Sequence, residues 1–122
     1  MSKERDFDLE ERLIDFAVRG IKTSEALPST QTGNHIRGQL LRSCTSPAAN
    51  YGEAQSAESR ADFLHKMKLV LKELRETHVW LKIIARTGLI APATKLDHLI
   101  RENNELISIL VKSIKTAQRN LQ

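Results

Sequence analysis

The last quarter of the chain leaves the least freedom. Leu96, Leu99, Ile100, Asn103, Leu106, Ile107, Leu110, Val111, Ile114, Ala117 and Leu121 recur at three- and four-residue steps. That is the period of one α-helical face, and an apolar stripe sustained to the end of the chain must be buried against other elements. Three earlier segments repeat the pattern. Leu9, Leu13, Phe16, Ala17 and Ile21 mark a helix over about residues 8–26, and Ile36, Leu40, Leu41, Cys44, Ala48 and Tyr51 mark another over 34–54. Phe63, Met67, Val70, Leu74, His78, Leu81 and Ala85 trace a third over 57–87, and the fourth occupies 92–120.

The punctuation agrees with these bounds. Leu27-Pro28-Ser29-Thr30-Gln31-Thr32-Gly33 reads as a loop, because the residue before a proline avoids the helical region and small polar residues favour turns. Asp6, Asp8, Glu10 and Glu11 crowd the start of the first helix, where negative charge complements the helix dipole. Ser59-Arg60-Ala61-Asp62 has the spacing of a capping box, Gly88 is placed to end the third helix, and Leu89-Ile90-Ala91-Pro92 turns the chain. Pro47 lies inside the second helix and is expected to kink it between Ser43 and Pro47 or to break it. Short connections pack most simply as antiparallel neighbours, so residues 1–122 are expected to form one all-α domain, an up-down-up-down, left-handed four-helix bundle.

Composition supports that class. Aromatic residues make up 4% of the chain, with 5 Gly and 3 Pro, too few for a sheet-based fold rich in turns. The single cysteine, Cys44, excludes an internal disulfide, and no apolar run of signal-peptide or membrane-span length is present, which points to the cytoplasm and away from a membrane partner. A net charge of +4 is compatible with nucleic-acid contact without demanding it.

The third helix is more apolar than one core face requires. Val79, Trp80, Ile83 and Ile84 point away from the Leu74, Leu81 and Ala85 stripe at 100° per residue, which reads as a subunit interface anchored by Trp80. Gln39, Ser43, Ser46 and Asn50 form a small polar ridge on the second helix, suited either to solvent or to close approach by another helix. Asn103, within the apolar face of the fourth helix, reads as a register-fixing buried amide. Arg37, Arg42, Lys112, Lys115 and Arg119 are the candidate nucleic-acid contacts, able to neutralise phosphates. Lys72 and Glu76, four residues apart, read as an exposed ion pair.

Catalytic and cofactor chemistry finds no foothold. His35, His65, His78 and His98 show no His-x-x-x-His or Glu-x-x-His spacing, so no metal is expected. There is no phosphate-binding Gly-x-x-x-x-Gly-Lys loop, nucleophile elbow or dinucleotide turn, and Cys44 reads as a small core residue. A non-enzyme without cofactors is the expectation.

Several spaced blocks carry a resemblance. Gln39-Leu40-Leu41-Arg42, Ser46, Asn50 and Glu53, then Ser59-Arg60-Ala61-Asp62-Phe63, then Leu71-Lys72-Glu73-Leu74-Arg75-Glu76-Thr77 with Trp80-Leu81 resemble the bacterial four-helix bundle proteins. That family includes the proteins encoded by intervening sequences within large-subunit ribosomal RNA genes, and it is similar in fold to the accessory variability protein of diversity-generating retroelements. The resemblance implies a cytoplasmic bundle assembling into a ring-like homopentamer with no established enzymatic activity. For the retroelement relatives it implies binding to a reverse transcriptase and to nucleic acid through a basic surface. After Asn50 the ribosomal members commonly continue into Glu-Gly and a basic turn, whereas here the chain reads Glu53-Ala54-Gln55-Ser56-Ala57-Glu58. The departure weighs against nucleic-acid binding and leaves the fold expectation intact.

Overall fold

The computed structural model describes residues 2–121, with side chains over 9–120. The acidic residues Asp6 and Asp8 and the apolar Leu121 therefore lie outside the described side chains. Four helices carry the described chain: α1 (Ser2–Glu25), α2 (Gln31–Gln55), α3 (Arg60–Thr87) and α4 (Asp97–Leu121), with a 3-10 turn at Ala93–Leu96. Each helix packs against the next in sequence, and α4 returns to α1, so α1 faces α3 and α2 faces α4 only across the bundle axis.

The ends of the helices follow from local chemistry, and all four starts differ from the sequence expectation, α1 beginning at Ser2 rather than near residue 8. Helix α2 begins at Gln31, not residue 34, because the Thr30 hydroxyl accepts from the Gly33 amide at 3.0 Å. Gly33, read as part of the loop, instead sits in the first turn, so close to Pro28 that a Cβ there would overlap the Pro28 carbonyl. Helix α3 begins at Arg60, not 57, with the Ser59 hydroxyl accepting from the Asp62 amide at 3.0 Å, and it ends on Gly88 in the left-handed region at φ 71°. The expected start of the last helix near 92 is taken up by the 3-10 turn, so α4 begins at Asp97. Helix α2 runs unbroken through Pro47, whose ring is buried.

The core is a continuous apolar column that includes Leu13, Phe16, Leu40, Met67, Leu74, Leu81, Leu106 and Leu110, all at most 2% exposed. On α3 the buried stripe is Met67, Val70, Leu74, Thr77, Leu81 and Ile84. It steps alternately by three and four residues, the heptad spacing of helices packed side by side, so Thr77 and Ile84 replace the expected His78 and Ala85.

Two polar features sit inside this column. Ser43 and Thr77 meet at the α2–α3 seam with their hydroxyl oxygens 2.9 Å apart, which places one member of the small polar ridge in a close helix contact. Asn103, wholly buried, donates to the Leu74 carbonyl at 3.1 Å while its own carbonyl oxygen has no protein partner among the described residues. Asn103 thus marks one register between α3 and α4 with a directional bond, at the cost of an unpaired acceptor.

Candidate assembly face on α2 and α3

Antiparallel packing brings His35, Gln39 and Arg42 of α2 alongside Glu73, Glu76 and Trp80 of α3. Spacings of four and three on each helix keep each trio on one side. Arg42 spans the seam, its Nη1 2.8 Å from Glu73 Oε1 and its Nη2 on Glu76 Oε2. The Trp80 indole nitrogen donates to the same Glu76 oxygen at 3.0 Å, and the His35 ring stands edge-on to Trp80 with centroids 6.1 Å apart. Partial desolvation lowers the Arg42 pKa, but its bond to Glu73 and the charges of Glu76 and Glu73 outweigh that and raise it, so Arg42 stays a cation. Each of these half-exposed bonds contributes little to stability, on the order of 1 kcal/mol or less. Together they fix how the indole is presented.

Other residues that carry the resemblance bind their own neighbours. Ser46 donates to the Arg42 carbonyl at 2.8 Å, Asn50 donates to the Ser46 carbonyl at 3.1 Å, and Glu53 pairs with Lys66 at 2.7 Å. Ser59 caps α3, Asp62 lies in its first turn, and Arg60 is exposed. Most of the motif thus joins α2 to α3 or finishes a helix.

Beside this network α3 turns apolar surface outward. Val79 is 53% exposed, and Trp80 and Ile83 are half-buried. Ile84 does not belong with them. It is fully buried in the core, because the heptad stepping of α3 carries position 84 inward, so the expected interface set contracts to Val79, Trp80 and Ile83.

The five candidate nucleic-acid contacts do not form one surface. Arg37 donates to the carbonyls of Ser24, Leu27 and Pro28 and closes the end of α1, while Arg42 is held by Glu73 and Glu76. Lys112, Lys115 and Arg119 are exposed, but they lie near the far end of α4, diagonal to α2 and at the opposite end of the bundle from Arg37, while Arg42 sits midway along α2. The expected Lys72 pair is not made either, since Glu76 turns to Arg42 and Trp80.

Sequence reasoning missed a different set of charges. Lys68, Lys72, Arg75, Lys82 and Arg86 are all exposed on α3. Their spacing was available from the sequence. What hid it were Glu73 and Glu76, which seem from sequence alone to neutralise the helix and in the fold face α2.

A cavity of about 430 Å³ opens at the end of the bundle between Leu9, Tyr51, Phe63, Met67 and Ile109. Its lining cation, Arg12, is engaged by Glu102 at 2.7 Å, and that hydrogen bond raises the Arg12 pKa. Cys44 is fully buried against Gly20, and burial pushes its thiol up to about 11, far from a nucleophile's range. Among the described residues no three His, Cys, Asp or Glu side chains gather as metal ligands, and no helix is long and apolar enough to cross a membrane.

The profile of the 23S rRNA-intervening sequence protein family matches residues 5–112. The chain belongs to that family. A crystal structure of a protein of unknown function from the S23 ribosomal protein family of Bacteroides thetaiotaomicron VPI-5482 is 34% identical to this 23S rRNA-intervening sequence family member. The match covers 88% of this chain and 98% of that one with a TM-score of 0.81. No curated protein matches the chain significantly. Membership in the 23S rRNA-intervening sequence family therefore brings the four-helix architecture, and the solved relative brings no activity with it.

Proposed function

We propose that this protein is a non-catalytic, self-assembling bundle whose α3 face, built on Val79, Trp80 and Ile83, joins copies into a homopentameric ring that acts as a scaffold for a macromolecular partner. The observation that carries the reading is the outward apolar surface beside a tryptophan held in place by Glu76 and Arg42. Trp80 packs one side of its indole on the core and leaves the rest exposed, and aromatic anchors held in one conformation are what protein interfaces use. Five copies is the number that the family resemblance implies. The test is Trp80→Asp with the molar mass measured by light scattering. Loss of the assembled mass with unchanged helix content supports the reading, and an unchanged mass removes this face from it.

A second reading, a nucleic-acid-binding accessory protein working with a reverse transcriptase, rests on the far end of α4. Lys112 and Arg60 line one shallow depression there, Lys115 and Arg119 are exposed nearby, and α4 carries no carboxylate side chain after Glu105. Gel-shift titration at low and high salt tests it. Affinity that falls with salt and is lost in Lys112→Glu supports this reading, and absence of binding at low salt removes it.

A further inference from the structure

Helices α1 and α3 stand at opposite corners of the bundle and make no direct approach to one another among the described residues. Each turns one stripe squarely away from the core. On α3 that stripe is His65, Lys68, Lys72, Arg75, Val79, Lys82 and Arg86, every residue exposed. Its five Lys and Arg side chains run about 27 Å along the helix at 1.5 Å per residue. The stripe holds no carboxylate, and none of its five cations has an acidic partner among the described residues.

The α1 stripe has the opposite sign. Glu11, Asp15 and Glu25 outnumber Lys22, and all four are exposed without an ion pair among the described residues. Between them Ile14 and Val18 are 40% and 43% exposed. Both stripes therefore set exposed β-branched side chains among charges, acidic on one helix and basic on the other.

We infer that the α1 stripe of one copy docks on the α3 stripe of the next. This rests on the self-assembly reading above and names the surface that receives the α3 face. A symmetric contact of α3 against α3 would place five cations against five and would stop at a dimer. The contact of α1 with α3 opposes unlike charges and buries Val79 against Ile14 and Val18. It leaves one copy with an unused α3 stripe and the other with an unused α1 stripe, so it propagates head to tail until a ring closes.

Charge reversal on the full-length chain, read by light scattering and circular dichroism, tests the inference. Glu11→Lys with Asp15→Lys, and separately Lys68→Glu with Lys72→Glu, should each reduce the assembled mass toward the 13.8 kDa chain without loss of helix. These four changes combined with Arg75→Glu in one chain reverse the sign of both stripes and should restore the assembled mass. Val18→Lys, a second lesion on the α1 stripe, should dissociate the assembly too. If the unmodified protein is monomeric, the self-assembly reading itself fails. If it assembles and Trp80→Asp dissociates it while the α1 variants do not, α1 is not the receiving surface and this inference alone falls. It also falls if the five-change chain folds but stays monomeric. An α3 reversal that abolishes binding of a single-stranded oligonucleotide while leaving the mass intact would assign the basic stripe to nucleic acid instead.

Discussion

The guanidinium of Arg37 binds the carbonyl of Leu27, its Nη2 2.6 Å from that oxygen, and so fastens the end of α1 to the second turn of α2. Its Nε also takes the Ser24 carbonyl at 3.1 Å. The last carbonyls of a helix have no partner within it, and here one side chain from the next helix supplies the donors. Arg37→Ala should therefore destabilise the fold by about 1–3 kcal/mol, the usual consequence of leaving partly buried acceptors without a charged donor. Denaturant unfolding measures it. A change below about 0.5 kcal/mol, the range of ordinary surface substitutions, would mean that water replaces the guanidinium without loss.

Gly20 of α1 packs directly on Cys44 of α2. A Cβ at Gly20 would overlap both Cys44 Sγ and Cβ, whereas one at Gly38 or Gly52 would meet open space. Alanine favours a helix over glycine by about 1 kcal/mol. Gly38→Ala and Gly52→Ala should each raise stability by up to about that amount. Gly20→Ala should lower stability instead, because overpacking costs about 1–3 kcal/mol and exceeds the propensity gain. Thermal melts of the three variants give the ordering, and a stabilised Gly20→Ala would show that the α1–α2 seam can open freely.

Burial of Cys44 has a pH signature. Its thiol is raised from 9.0 to about 11 in the folded chain, so the stability that its neutral form contributes is complete below pH 9 and is lost as pH rises toward 11. Two pKa steps correspond to about 2.7 kcal/mol. The alkaline decline of stability should be shallower in Cys44→Ala by that order. Equal slopes in the two proteins between pH 9 and pH 11 would contradict the burial argument.

The elements most legible in the sequence were those written in apolar spacing. Helix α4 and the outward position of Val79 followed from residue order alone, because a 3.6-residue period needs no partner to be recognised. Phase errors appeared where packing sets the step: heptad winding on α3 moved Ile84 inside and turned His78 partly out. Polar residues were legible only by type. Arg37 and Arg42 looked like phosphate ligands because their carbonyl and carboxylate partners lie on a neighbouring helix or in the α1–α2 loop, 9 to 34 residues away in sequence. The same blindness hid the basic stripe of α3, since two acids on the helix belong to the α2 seam.

Copy number tests the central claim most directly. Absolute molar mass by light scattering on the purified full-length protein should read near 69 kDa, five copies of the 13.8 kDa chain. A value of 13.8 kDa at every concentration tested would contradict the account, leaving Val79, Trp80 and Ile83 as exposed surface with no copy to cover it.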